Sequence, residues 1–275
     1  MEKAHAIDLI PGELEPRAAG RSVVQTIYTN QQRQGFYSNG NKVLPAAAAD
    51  VDILQLRLAH AFSLGDYPAV VYVQQPWGHV KVEGLPGASG SANGSADTML
   101  LFGLWPYANR ETGTYFAVGA YYFVNDGNYD NNRNVNLGEN RSKYVLQAAY
   151  QMRFAERLEW TLAADAMQFG DNANYSARKV RLSQDTLWSL QTSLNYRFTP
   201  VTAMALALFR SVGGETQLNG VDRHDATRVD RWQVTGSYLM PDIAGAIHLQ
   251  YGRDFSTQNG LLETRRVVLR FSKSF

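Results

Sequence analysis

Read in steps of two, the stretch ending at Phe275 separates into two faces. Val267, Leu269, Phe271, Lys273 and Phe275 form one, and Arg266, Val268, Arg270, Ser272 and Ser274 the other. Period 2 with unlike faces predicts a strand between two environments. The same pattern recurs over 21–34, 51–62, 67–77, 98–105, 114–125, 143–154, 158–169, 186–198, 201–212, 228–239 and 243–255. With the C-terminal stretch these make twelve candidate strands, and helical period fits none of them. Short connections at 64–66, 109, 155–157, 199–200 and 241–242 alternate with long ones rich in Gly, Asn, Ser and Asp. Gly35, Gly40 and Pro45 predict a long loop between the first two strands, and 256–262 predicts another before the last.

A soluble sheet seldom ends on an exposed aromatic edge strand, because an open edge invites aggregation. Closed barrels of the bacterial outer membrane have even strand numbers, short periplasmic turns, longer outer loops and interfacial aromatic girdles. Strands of about 9–11 residues suffice to cross. The pattern therefore predicts an all-β fold: a twelve-stranded antiparallel transmembrane β-barrel over 21–275, with both termini in the periplasm. Residues 1–20, interrupted by Pro11, Gly12, Pro16 and Gly20, form a separate N-terminal segment at the periplasmic mouth. It either hangs as a free tail or folds into the lumen. Ile7, Leu9, Ile10 and Leu14 are apolar and close together, which favours insertion, with Asp8 and Glu13 available to lumen arginines.

The faces assign themselves where the strands are amphipathic. Tyr144, Leu146, Tyr150, Trp160, Trp188, Leu194, Trp232, Leu249 and Tyr251 are expected to face lipid. A charge facing lipid at mid-depth costs roughly 2–4 kcal/mol, so Arg57, Arg153, Glu159, Asp165, Arg197, Arg231, Asp254, Arg266 and Arg270 are expected to line the pore. Their basic excess predicts a weak preference for anions. Strands at 67–77, 98–105, 114–125 and 201–212 are apolar on both faces. There Tyr72, Leu100, Phe102, Leu104 and Tyr121 are assigned to the lumen, leaving part of its wall apolar for solutes or for the N-terminal segment.

Composition narrows the function. The chain has no cysteine and a net charge of +1, so neither disulfides nor a nucleic-acid partner is expected. No apolar run approaches the length of a transmembrane helix. No signal peptide is apparent at the start, so a barrel reading implies a mature chain. The 15 Tyr, 12 Phe and 5 Trp suit girdles. None of His5, His60, His79, His224 or His248 is followed two residues on by the serine of a lipid esterase. Asp222, Arg223, His224 and Asp225 are a faint echo of a rim protease. No cofactor or metal pattern appears.

The twelve even strands, the terminal Phe275 and the segment Ile7, Asp8, Leu9, Ile10, Pro11, Gly12 resemble the family of outer-membrane channels linked to phenol meta-pathway and other aromatic degradation. The resemblance implies passive uptake of small hydrophobic or amphipathic molecules, aromatic ones included, and supplies no catalytic residues. The alternatives are a barrel hydrolase, as an omptin-like protease or a lipid hydrolase, and a closed structural or adhesive barrel. Expected partners are small-molecule solutes, outer-membrane lipid and the barrel-assembly machinery, engaged through the strand that ends in Phe275. A monomer in the outer membrane of a Gram-negative bacterium is the expected state.

Overall fold

A computed structural model describes residues 7–275. Met1 and His5 lie outside the described residues. The barrel strands are β1 (Ser22–Ser38), β2 (Asn41–Leu64), β3 (Tyr67–Glu83), β4 (Met99–Asn109), β5 (Thr114–Phe123) and β6 (Lys143–Ala155). The other half is β7 (Leu158–Phe169), β8 (Leu187–Arg197), β9 (Thr202–Gly213), β10 (Thr227–Met240), β11 (Gly245–Thr257) and β12 (Gly260–Ser274). Each pairs antiparallel with its neighbours in sequence. The barrel closes where β12 runs along β1, from Val23 opposite Ser274 to Tyr37 opposite Gly260.

The outer connections differ from the sequence expectation at two places. β1 and β2 are joined by a two-residue turn, Asn39-Gly40, with φ of 51° and 79°. Positive φ at both central residues matches the twist of the flanking strands, and Asn-Gly supplies it at little cost. β11 and β12 are joined as tightly, through Gln258 and Asn259. The Gly40 N–H donates to the Gln258 carbonyl at 2.8 Å, and the Asn39 N–H to Asn259 Oδ1 at 2.8 Å, stitching the two hairpins together. Pro45 was expected to break the strand but sits inside β2. The pairing steps from Gln34–Ala48 to Phe36–Leu44 there, with Gly35 at φ 77°, so a bulge absorbs the missing N–H.

Consequently β2 has 24 residues. At about 3.3 Å per residue it extends far past an apolar band ~25 Å tall. The inward faces of this extension, Ala47, Ala49, Val51, Val80 and Val82, pack with Leu85, Val135 and Leu137 from the 84–98 and 124–142 connections. A short strand, Gly90–Ser95, runs beside β3, and a separate four-stranded sheet joins the 170–186 and 214–226 connections. The outer loops thus form a packed cap.

Alternation holds around the wall. Outward-facing Leu146 is 70% exposed, while its neighbour Val145 is 1% exposed and points in. Outward aromatics gather at both ends of the strands. Tyr67, Tyr107, Tyr196 and Phe198 lie toward the short turns, and Tyr144, Trp188, Tyr251 and Phe255 toward the loops.

Candidate translocation pathway

The chain's own N-terminal segment occupies part of the lumen. Residues 7–20 enter from the short-turn end and pack against the inner wall. Leu14 sits among Trp105, Tyr115, Ala117, Ala149 and Ala163. Ile7 packs against Met99, Tyr121, Val145, Met167 and Leu187. Backbone groups that would be stranded away from water are met by wall side chains, as buried polar groups require. Leu9 N–H donates to Gln191 Oε1 at 3.0 Å, and the Leu9 carbonyl accepts from Gln191 Nε2 at 2.6 Å. Gln147 Nε2 donates to the Ile7 carbonyl at 3.0 Å and Trp105 Nε1 to the Leu14 carbonyl at 2.8 Å. Within the segment, Pro11 and Gly12 turn the chain so that Glu13 N–H donates to the Ile10 carbonyl and Glu13 Oε2 accepts from Ile10 N–H.

Charge fixes the segment further. Asp8 Oδ2 lies 2.6 Å from Arg231 and 3.4 Å from Arg266. Glu13 lies 3.0 Å from Arg57, whose guanidinium also stacks on Tyr72 at 4.3 Å. Arg231 stacks on Phe209 at 4.1 Å. Elsewhere Glu159 holds Arg197 at 2.6 Å and Arg153 at 3.9 Å, and Arg270 donates to Gln250 at 3.2 Å. Asp165 and Asp254 point inward, and each keeps one oxygen unpartnered among the described residues. Tyr121 donates to Gln147 at 2.9 Å.

Three lumen assignments on β4 reverse in phase. Leu100 and Phe102, expected in the lumen, face outward at 40% and 41% exposure, with Phe102 meeting Phe62 on the outer surface. Met99, Leu101 and Trp105 are the inward set of β4. Leu104 shares the outward phase of Leu100, is half-buried next to the bulge between Leu104 and Tyr107, and borders the cavity described below. Leu206, also outward, is 51% exposed. Both faces of these strands are apolar, because the inner one packs on the apolar side chains of the segment, so hydropathy alone does not choose between them.

The sequence reading missed Glu263 and Arg33. Glu263 is 1% exposed and holds Arg266 through two hydrogen bonds, at 2.7 and 3.0 Å. Arg33 lies 3.9 Å from it. A register shift between Gln32 and Arg33 turns Glu263 from the outward phase into the lumen. It also missed the inner glutamines, Gln25, Gln31, Gln147, Gln151, Gln191, Gln233 and Gln250, all buried. Their signal was present: Gln25, Thr29, Gln31 and Arg33 alternate along β1.

Between segment and wall lies a cavity of about 690 Å³. Its lining is mainly apolar, with Leu9, Ile10, Leu14, Val23, Val70, Tyr72, Leu101, Trp105 and Tyr121, and it reaches Pro200, Val201, Leu239 and Ala244 at the short-turn end. Polar and charged groups share the wall, among them Asp8, Glu13, Arg17, Arg21, Gln25, Arg57, Arg110, Gln147, Asn195, Arg197 and His248. His224, the faint protease echo, is 85% exposed in a loop, with Glu215 as its acidic neighbour at 3.3 Å. Among the described residues no group of His, Asp or Glu could hold a metal ion.

A family model described as the MetA-pathway of phenol degradation matches residues 33–271. The chain belongs to this family. Among solved structures, an outer membrane channel from Pseudomonas putida F1 is 29% identical, with a TM-score of 0.93 over 98% of this chain and 100% of that one. The β domain of the Bordetella autotransporter BrkA (12% identity, TM-score 0.54, 94% and 100% covered) shares the fold. So does a TodX monoaromatic hydrocarbon channel carrying a deletion (10% identity, TM-score 0.51, 94% and 91% covered). Comparison with curated protein sequences gives no match. The family member described here is thus an outer-membrane β-barrel of the channel type.

Proposed function

We propose that the protein is a passive channel for uptake of small hydrophobic or amphipathic molecules, aromatic ones included. The observation that carries this reading is the cavity beside the inserted segment, whose wall is apolar over the larger part of its area. Its wall is amphipathic: Leu, Ile, Val, Trp and Tyr side chains offer apolar area to a solute, and Gln25, Arg57, Gln147 and His248 are among the polar groups that orient it. The segment is the movable element, because residues 7–19 are held to the wall by packing, ion pairs and hydrogen bonds with wall side chains rather than by strand pairing. Residues Asp8, Glu13 and Leu14 hold it closed, and Arg57, Tyr72, Arg231 and Arg266 receive them. Membership of a family named for phenol degradation supports an aromatic cargo.

Planar-bilayer recording tests this. The intact barrel should conduct ions poorly, and the barrel lacking residues 7–14 should conduct clearly better. Large, steady conductance in the intact protein would refute the apolar path. Incubation with phospholipid, lipid A and dibasic peptides tests the hydrolase alternative. Turnover lost on His224→Ala would establish it.

A further inference from the structure

Outward-facing arginines cluster on one arc of the barrel at the loop end. They are Arg210 on β9, Arg228 on β10, Arg253 on β11 and Arg265 on β12, all exposed. These strands are consecutive neighbours. Gly252 pairs with Arg266, so Arg253 and Arg265 lie nearly in register; Arg210 lies opposite Asp230, two positions from Trp232, which pairs with Arg253, and Arg228 lies opposite Val212, two positions farther toward the loops. The patch overlies the outer aromatic belt. Trp232 and Tyr251 meet at 5.8 Å below it, and Arg253 stands between Tyr251 and Phe255 on the outward face. Asp230 sits within it and is held by Arg210 through two hydrogen bonds, the shorter 2.6 Å. Arg265 donates to Asn30 at 2.8 Å. Asp52 on β2 accepts from Tyr28 at 2.6 Å and from Asn30 at 2.9 Å, so Asn30 bridges it to Arg265. Among the described residues, Arg228 and Arg253 have no carboxylate within salt-bridge distance.

The opposite arc is different. At the corresponding end of β4 to β8 the outward positions are Thr98, Tyr122, Tyr144, Gln168 and Trp188, none charged. Arginine gathers instead on four adjacent strands, at the height where an aromatic belt meets lipid headgroups. Guanidinium forks match phosphate oxygens in geometry and charge.

We infer that this arc is a binding site for a phosphorylated glycolipid of the outer leaflet, its phosphates on Arg228, Arg253 and Arg265 and its acyl chains on Trp232, Tyr251 and Leu249. The inference rests on the outer-membrane orientation and is independent of which solute the channel carries.

The test uses the full-length barrel in detergent and a triple variant, Arg228→Gln with Arg253→Gln and Arg265→Gln. Retention of the closed fold is checked by heat-modifiable migration on a gel. Native mass spectrometry with bisphosphorylated lipid A should show a bound lipid on the parent. Affinity of the variant should fall by about tenfold or more, since each basic group near a charged lipid surface contributes measurably. Dephosphorylated lipid A should bind the parent no better than it binds the variant. Equal binding of lipid A to parent and folded variant, or equal binding of the dephosphorylated lipid to the parent, would overturn the proposal. So would displacement of lipid A by millimolar inorganic phosphate, which would make the arc a site for a free anion. If the triple variant does not fold, Arg253→Gln alone carries the same comparison.

Discussion

Replacing Asp8 by alanine should loosen the inserted segment. Asp8 faces Arg231 at 2.6 Å and Arg266 at 3.4 Å, and all three side chains are at least 88% buried. Removing one partner of a buried ion pair costs about 3–5 kcal/mol, because a charge is left without compensation. Two features reduce that here. Arg266 keeps Glu263 at 2.7 Å, and Arg231 keeps the face of Phe209 at 4.1 Å. About 2–3 kcal/mol therefore remains, which shifts the balance between inserted and withdrawn segment by roughly 30- to 150-fold. Leu14 and Ile7 stay buried in the variant and continue to favour insertion, each at roughly 1.5–3 kcal/mol. The expected outcome is intermittent opening rather than a permanently open pore. The chain has no cysteine, so Leu14→Cys gives a single site for an aqueous thiol reagent. Labelling of the introduced thiol in the folded barrel should be slow with Asp8 present and at least tenfold faster with Asp8→Ala, and bilayer traces should show added brief openings. Equal labelling rates and equal traces would refute the role assigned to the ion pairs.

Three further outcomes follow from the same geometry. Phe102→Arg, on the outward face of β4, should lower barrel stability by roughly 2–4 kcal/mol in a urea unfolding titration in lipid; an effect below about 1 kcal/mol would return Phe102 to the lumen. Charge selectivity of the intact barrel should be near neutral, since Asp8, Glu13 and Glu263 offset much of the arginine excess, and loss of residues 7–14 should shift it toward anions; reversal-potential measurements would contradict this by showing cation preference in the truncated form. Burial would raise the Glu139 carboxyl, but Lys143 at 2.5 Å and Arg141 at 2.6 Å outweigh it and hold it down to about 2. Because that lies below the ordinary value, the cluster's contribution is present in full above the usual carboxylate range and is lost as the pH falls toward about 2. Proteolytic protection of the 124–142 connection should fall over that window, and Glu139→Gln should abolish the pH dependence; the same transition in the variant would show that another group is responsible.

The fold was legible because lipid imposes a two-residue period that water-soluble sheets dilute. Tyr144, Leu146 and Trp188 could face only one way, and with them the strand order and closure followed. Ambiguity arose wherever the lumen was itself apolar. Leu100 and Leu101 are the same residue type, and only the contact between Leu101 and the cluster around Ile7 and Tyr121 decides which points in. Glu263 was hidden for a different reason. A bulge shifts the phase of β12 by one, and a strict count of alternate residues passes it to the outer face. The Asn39-Gly40 hairpin was readable from its dipeptide, but the neighbouring Gly35 and Pro45 mimic a loop when they mark a bulge. The pairing of Asp8 with Arg231 and Arg266 joins positions more than 220 residues apart, which no local pattern contains.

The central claim is that small apolar solutes cross through the cavity beside the N-terminal segment. It is tested most directly by uptake of a radiolabelled monocyclic aromatic compound into Gram-negative cells whose own hydrophobic-solute channels are deleted. Cells expressing the barrel should take up the compound faster than cells carrying an empty vector. Leu101→Trp, which fills the cavity from the inward face of β4, should remove that gain while the barrel still inserts, and the compound should be recovered chemically unchanged. Equal uptake with and without the inserted barrel, or a gain untouched by filling the cavity, would contradict the account.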